Sequence, residues 1–437
     1  MPLMNRIKPS LNRDKLDVYF KETGGSKTIC TAPYSGLYFT AEGLIKPCCA
    51  FSDAFAFGRY PQISIFEALN SKNRKKLQQY VKNNNLSFGC NNCLQNINNG
   101  NYKGSISSLY SKYASHGEIK IIDFELSYFC NLDCVMCYLH TNKKENSPIY
   151  DANFLKEIEP FLLRIEACRF YGGEPFLIPA YYKIWDFIKN NNPQCQVHIQ
   201  TNGSIFNNEI KSLLQQLNAF LGISIDSMNP NLYENIRKGA IFNKLLTHIN
   251  EFNEIASSQG KPITLSVCPM PLNWKEIPDI LKFADTIQSR VFFNTVTYPP
   301  HFSFLYTPST ELLVIADFLK NHQSINHKNP YSYENNQKLQ GLISSLVSLI
   351  ATQKQIEQNI PTISLREFIE ELRIRLQNDS VFQELLSLTK GFDDNMPLSK
   401  YFLFYINQLS KEEIVFTISN ITKKNDIQYL KNMFQIQ

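Results

Sequence analysis

The chain has 437 residues, of which 43% are hydrophobic and 13% aromatic, and its formal net charge is +5. That length suggests two or three domains, and the apolar content is ample for packed cores. The small charge excess forms no basic stripe and gives no reason to expect nucleic acid as a partner. No run approaches the roughly 18 uninterrupted apolar residues of a membrane span, and Met1-Pro2-Leu3-Met4-Asn5-Arg6 lacks the apolar region of a signal peptide. A cytoplasmic protein with no membrane partner is expected.

Residues 1–29 are polar and show no periodic pattern, which reads as an N-terminal extension. From 30 to 96 a compact Cys-rich module is expected. In it 34–40 and 44–48 read as a hairpin around Ala41-Glu42-Gly43, and 64–86 reads as a helix with Ile65, Leu69, Leu77 and Tyr80 on its apolar face. Residues 97–118 look like a linker helix. Strands are then expected at 119–127, 165–171, 195–201, 220–226, 263–268 and 290–296. Helical patterns lie between them at 152–163, 180–190, 206–217, 230–236, 241–258 and 275–286. Such alternation means parallel strands with right-handed crossovers, here an α/β partial (β/α)6 barrel over 119–308. From 309 to 437 the alternation is lost, and Leu/Ile-periodic runs at 309–321, 335–357, 364–377 and 380–389 predict a mostly helical C-terminal region.

Eleven cysteines in a chain of this kind read as metal ligands before disulfides. Cys130, Cys134 and Cys137 have C-x3-C-x2-C spacing directly after an apolar run. Three thiolates on one loop suit a four-iron cluster whose last iron is open to a ligand; a zinc site completed by His140 is the alternative on spacing alone. Gly172-Gly173-Glu174-Pro175 ends the second predicted strand, Thr201-Asn202-Gly203 the third and Ser224-Ile225-Asp226 the fourth. In parallel α/β sheets ligands sit at these carboxyl ends.

Together these motifs resemble the radical S-adenosylmethionine (radical SAM) superfamily, which also has a partial (β/α)6 barrel. The resemblance implies a [4Fe–4S] cluster on Cys130, Cys134 and Cys137 and S-adenosylmethionine bound to its open iron. It implies reductive cleavage of that cofactor to a 5′-deoxyadenosyl radical, fed by an electron donor such as flavodoxin or ferredoxin. Gly172, Gly173, Glu174 and Pro175 would recognise the methionine ammonium group. Asn202, Ser224 and Asp226 are candidates for the ribose hydroxyls, Arg237 for the cofactor carboxylate, and Met136 for the adenine. Met136 stands where that superfamily usually has an aromatic residue.

The module at 30–96 resembles a twitch (half-SPASM) domain through Cys30, Gly43-x4-Cys48 and Cys90-x2-Cys93. That resemblance implies an auxiliary [4Fe–4S] cluster on Cys30, Cys48, Cys90 and Cys93, hence two clusters in all; a four-cysteine zinc knuckle is the alternative. Adjacent residues of a strand face opposite ways, so only one of Cys48 and Cys49 readily joins a cluster. Cys268, at the end of the fifth predicted strand, is a candidate hydrogen-atom donor, although most lone cysteines are core residues. Asn294, Tyr298 and His301 are candidates for the pocket mouth. By analogy with twitch-domain enzymes the expected substrate is a peptide or protein side chain. A small metabolite such as a sugar or amino acid is one alternative, and a non-catalytic iron–sulfur protein is the other.

Overall fold

The computed structural model describes residues 11–24, 28–98, 100–102, 104–113, 117–137, 149–297, 299–323 and 328–376, together with 383, 386, 387, 389, 390, 392–407, 409 and 411–415. His140 and Tyr298, and most of the predicted run at 380–389, lie outside the described residues.

Among the described residues eleven strands form in chain order: β1 Gly36–Phe39, β2 Leu44–Lys46, β3 Gly58–Arg59, β4 Ile121–Phe124, β5 Asp133–Cys134, β6 Ala167–Phe170, β7 Gln196–Thr201, β8 Ala219–Ser224, β9 Arg237–Lys238, β10 Thr264–Val267 and β11 Arg290–Phe293. Nine of them make one sheet, ordered β11-β10-β8-β7-β6-β4-β1-β2-β3, and β5 pairs with β9 separately. The six strands expected from the alternation are β4, β6, β7, β8, β10 and β11, and all pair in parallel.

Period-two alternation decides what each face of this sheet holds. In β7, Val197, Ile199 and Thr201 are buried, while His198 and Gln200 point to the other face and stay partly open. In β8, Ala219, Leu221 and Ile223 are buried and Phe220, Gly222 and Ser224 alternate with them. The buried set packs under amphipathic helices whose starts are capped by side chains. Asp151 accepts from the Asn153 and Phe154 N–H groups to start Ala152–Leu162, which buries Phe154, Ile158 and Leu162. Asn207 does the same for Asn208–Gln216, which buries Ile210, Leu213 and Leu214. The apolar core thus lies between sheet and helices, and the inner face of the barrel is left polar.

The N-terminal hairpin is fused to this sheet. β1 runs parallel to β4, with Gly36 opposite Ile121 and Phe39 opposite Phe124, and β2 returns antiparallel to β1. One continuous apolar core accordingly runs from Tyr19 to Val296. Three local features differ from the sequence expectation. Residues 13–23, read as patternless, form the helix Arg13–Thr23 capped by Asn12, and buried Tyr19 donates to the Ile29 carbonyl at 3.0 Å. The single helix expected at 64–86 is two, Ile65–Leu69 and Lys72–Lys82, because the Ser71 side chain accepts from Arg74 N–H and starts a new helix. Where one linker helix was expected over 97–118, the described residues form the short helical pieces Ile106–Tyr110 and Ser111–Tyr113.

Beyond the barrel, Ser309–Asn321 and Ser332–Asn359 pack together through Leu312, Ile315, Leu319, Leu339, Ile343 and Leu346. Asn335 joins this pair to β11, its side chain accepting from Val291 N–H at 2.8 Å and donating to the Ser289 carbonyl at 3.0 Å. A further small core gathers Leu365, Phe368, Leu372, Phe402 and Ile406. No helix among the described residues is long and apolar enough to cross a membrane.

Candidate functional site

The cysteine loop leaves the carboxyl end of β4 and is fixed from two sides. On one side the Gly172-Gly173 turn, at the end of β6, docks on its backbone. Gly173 N–H donates to the Ser127 carbonyl and Glu174 N–H to the Phe129 carbonyl, both at 2.9 Å. The contact is so close that side chains are excluded: a Cβ on Gly172 would lie 2.3 Å from the Ser127 oxygen, and one on Gly173 only 1.8 Å from the Phe129 oxygen. Gly172 also has φ +107°, a conformation that glycine adopts without steric cost. On the other side β5 pairs antiparallel with β9, setting Cys134 opposite Arg237. Val135 N–H donates to the Ile236 carbonyl at 2.9 Å.

Polar groups then gather on two of the three sulfurs. Leu132 N–H lies 3.4 Å from Cys130 Sγ, Asn202 Nδ2 3.7 Å from the same sulfur, and Arg237 Nη1 3.8 Å from Cys134 Sγ. Donors aimed at sulfur stabilise the thiolate form that iron requires. The donor set therefore fits an iron–sulfur cluster held by Cys130, Cys134 and Cys137. Among the described residues, no group of three or more His, Cys, Asp or Glu side chains could hold a single metal ion.

The surrounding carboxylates are committed to the scaffold. Glu174 is fully buried; its carboxylate accepts from Thr201 Oγ1 at 2.7 Å, Asn202 N–H at 2.8 Å and Phe176 N–H at 3.3 Å. Burial pushes its pKa up to about 7, against the pull of those hydrogen bonds. Asp226, also buried, accepts from Cys268 N–H at 2.7 Å and lies 2.8 Å from Arg237 Nε. That second contact is an ion pair without hydrogen-bond alignment. Burial alone would lower the Arg237 pKa; Asp226, and after it Cys134, raise it well above its ordinary value. Both Asp226 oxygens thus face partners inside the protein, and Arg237 is spent on Asp226 and Cys134.

The other sequence candidates fall around this centre. Met136 is buried in the core beside the loop, and Pro175 opens a short turn at Pro175–Leu177. Cys268 is within electrostatic reach of Cys134 and Cys137, and burial raises its pKa, so it is held as a thiol. Ser224 accepts from Gln200 Nε2 at 3.0 Å, and Ser266 donates to Gln200 Oε1 at 2.9 Å, which makes a polar ledge across β7, β8 and β10. Asn294 and His301 are exposed, the latter ring lying 4.1 Å from that of Phe302. Gln200 and Ser266 were not singled out from sequence. Neither were Asp123 and Arg169, a buried ion pair at 2.5 Å to which Tyr110 is hydrogen-bonded. Their inward phase in the strand alternation was the available signal.

In the N-terminal module Cys30, Cys48, Cys90 and Cys93 lie within electrostatic reach of one another. Cys93 sits among donors from Ser105, Ser107 and Ile106 N–H. Cys49 points elsewhere: its strongest charged neighbours are Asp123 and Arg169 on the inner face of the sheet. It opens onto a cavity of about 460 Å³ between the hairpin, the residues after β4, and Leu409 and Glu413, where Tyr38, Lys46, Glu125 and Tyr128 also line the walls. The surrounding protein raises the Cys49 pKa to about 11.

A family model described as the radical SAM superfamily matches residues 124–284. A probable GTP 3',8-cyclase of Methanocaldococcus jannaschii is 23% identical over 172 residues, which is 39% of this chain and 56% of that protein. The antilisterial bacteriocin subtilosin biosynthesis protein AlbA of Bacillus subtilis is 26% identical over 174 residues, 39% of this chain and 37% of that protein. The chain thus spans about half or less of these relatives. Streptococcus suis SuiB bound to the precursor peptide SuiA aligns with TM-score 0.37 and 14% identity, over 67% of this chain and 69% of that one.

Proposed function

We propose that this chain, whose residues 124–284 match the radical SAM superfamily model, is an enzyme that cleaves S-adenosylmethionine reductively and takes a hydrogen atom from a peptide or protein side chain. The observation that carries the proposal is the convergence on one loop. Cys130, Cys134 and Cys137 leave β4, Gly172 and Gly173 clamp the loop from β6, Asn202 reaches it from β7, and Arg237 pairs with it from β9. When bound, the cluster supplies the electron, and the cofactor's broken sulfonium bond supplies the radical.

The chain's own residues do the rest. Asn202 and Arg237 tune and place the cluster thiolates. Glu174 holds Thr201 and Asn202 in position and, through its own backbone, the Gly-Gly turn. The ledge of Gln200, Ser224 and Ser266 offers hydroxyl and amide groups inside the barrel, where the ribose or the substrate would lie. Cys268, a thiol within electrostatic reach of Cys134 and Cys137, would return a hydrogen atom. Cys30, Cys48, Cys90 and Cys93 would hold the auxiliary [4Fe–4S] cluster of a twitch module, a reading that the donors around Cys93 support.

AlbA, a bacteriocin biosynthesis protein by its name, supports a peptide substrate. The GTP 3',8-cyclases among the relatives support a second reading, a small polar metabolite, which the polar inner face also suits. The test is anaerobic incubation of reconstituted enzyme with dithionite and S-adenosylmethionine, followed by chromatography. Release of 5′-deoxyadenosine, abolished by Cys134→Ala, is expected. A fully iron-loaded, reduced enzyme that releases none would leave an iron–sulfur protein without this chemistry.

A further inference from the structure

The four module cysteines come from three separate segments, and the loop after β2 brings two of those segments together. Cys48 and Cys49 both follow that strand, and strand alternation alone would turn them the wrong way. β2 sets Lys46 opposite Tyr38, and Tyr38 lies opposite Asp123 on the inner face of the sheet. Continued in extended form, the chain would send Cys48 to that same face and Cys49 away from it. The structure has the reverse. Asp123 and Arg169 are the strongest charged neighbours of Cys49, whereas Cys48 is buried in the core with Cys30 and Cys93. Residues 47–50 accordingly leave the strand as a bend and a turn.

The Lys46 side chain closes that turn. It is 6% exposed, and its ammonium reaches three oxygens of the following loop: Asp53 Oδ1 at 2.5 Å, the Phe51 carbonyl at 3.0 Å and the Cys49 carbonyl at 3.5 Å. An ammonium has three N–H donors, so this set of acceptors matches them all. The Tyr38 ring centroid lies 5.2 Å from the same nitrogen, within cation–π range. The Cys48 carbonyl accepts from Phe51 N–H at 3.4 Å inside the gathered loop. The loop then meets the next cysteine segment. Ser52 N–H donates to the Gly89 carbonyl at 2.9 Å, and a Cβ on Gly89 would lie only 2.7 Å from the Phe51 ring. Gly89 precedes Cys90, so the loop that Lys46 holds also fixes where the Cys90-x2-Cys93 turn approaches Cys48.

We propose that Lys46 is the positioning residue of the module's cysteine set, turning the loop so that Cys48, and not Cys49, completes the site with Cys30, Cys90 and Cys93. Cys49 is thereby left as a thiol on the inner face of the barrel. The proposal rests on the reading of residues 30–96 as a module that holds an auxiliary [4Fe–4S] cluster. The residues present fit that group, since the four thiols gather there and Cys93 sits among donors from Ser105, Ile106 and Ser107.

The test uses the full-length chain carrying Cys130→Ala, Cys134→Ala and Cys137→Ala, reconstituted anaerobically, so that the module's cluster is read alone. Iron content is measured, together with the paramagnetic resonance signal of the dithionite-reduced cluster. With Lys46 in place, Cys49→Ala should keep about four irons and an unaltered signal. Cys48→Ala should hold about three irons or fewer, one iron having lost its thiolate. Lys46→Met should alter the signal and narrow the difference between these two variants. In particular, Cys48→Ala should hold more iron with Lys46→Met than without it, because the released Cys49 takes the empty ligand position. Damage to the fold lowers iron and cannot produce that gain. A Lys46→Met substitution that leaves the Cys48 and Cys49 variants as unequal as before, or that strips iron from all of them alike, overturns the proposal. Where Lys46→Met gives no soluble protein, Asp53→Asn decides, since Asp53 is 40% exposed and its loss of charge loosens the same ammonium. A narrowed difference there supports the proposal, and an unchanged one overturns it. An iron-free module with Lys46 intact fails the twitch reading and the proposal with it; about four irons with the inequality untouched fails the proposal alone.

Discussion

Replacing Gly173 by alanine tests how the cysteine loop is held. The added Cβ would lie 1.8 Å from the Phe129 oxygen, 2.3 Å from the Phe129 carbonyl carbon and 2.7 Å from that of Tyr128. A carbon–oxygen contact needs about 3.3 Å, so one backbone must retreat by roughly 1.5 Å. All three atoms are main chain, and no rotamer change can absorb the overlap. Overpacking of this kind costs about 1–3 kcal/mol when side chains can adjust, and a backbone clash belongs at or above the upper end. The retreating segment ends at Cys130, so the loss should fall on the cluster site. Gly341→Ala is the control: Gly341 lies within the helix Ser332–Asn359 with nothing within 4 Å of its added Cβ. There alanine should stabilise by about 0.8–1 kcal/mol. Iron and sulfide are assayed after anaerobic reconstitution. The Gly341→Ala protein should hold about eight irons, and the Gly173→Ala protein about four, those of the module. Full iron and unchanged cofactor affinity in Gly173→Ala would refute the clamp.

Two further outcomes follow from the structure. Cys90→Ala/Cys93→Ala should lower iron from about eight to about four per chain while leaving the loop's cluster in place; stoichiometric zinc with no iron lost would make the module a zinc knuckle. His198, stacked on Phe220 at 4.9 Å, has its pKa lowered to about 4 by burial, with Arg169 as the next cause. Its stabilising contribution is complete above the unfolded value of about 6.5 and is lost as pH falls toward 4, about 3 kcal/mol in all. Denaturant titrations of His198→Gln should therefore show a shallower acid loss than wild type, and parallel curves would contradict this.

The barrel was legible because its strands and helices carry local periodicity. Val197, Ile199 and Thr201 alternate with His198 and Gln200, and Phe154, Ile158 and Leu162 recur at helical spacing. The fusion of the hairpin to the barrel was not, since the pairing of Tyr38 with Asp123 joins segments 85 positions apart (123 − 38) and leaves no local trace. The helix Arg13–Thr23 did leave one, in the spacing of Leu16, Tyr19 and Phe20, but its polar residues outweigh it. At the site, the spacing of the triad and the place of the Gly-Gly turn after the second predicted strand marked both out, with the resemblance that they carry together. Arg237 was a candidate for the cofactor carboxylate; that a two-residue strand sets it against Cys134 and Asp226 had no signal in the sequence. Gln200, Ser266 and Glu125 carry no motif, and only their inward phase marks them.

Electron paramagnetic resonance tests the cofactor site most directly. The dithionite-reduced, reconstituted enzyme carrying Cys90→Ala and Cys93→Ala is measured before and after addition of S-adenosylmethionine, so that the loop's cluster is seen alone. A change in the reduced-cluster signal on addition, absent when Cys134 is also replaced by alanine, is the predicted result. An iron-loaded, reduced cluster whose signal is untouched by saturating cofactor would contradict the assignment of Cys130, Cys134 and Cys137 as a site with an iron open to S-adenosylmethionine.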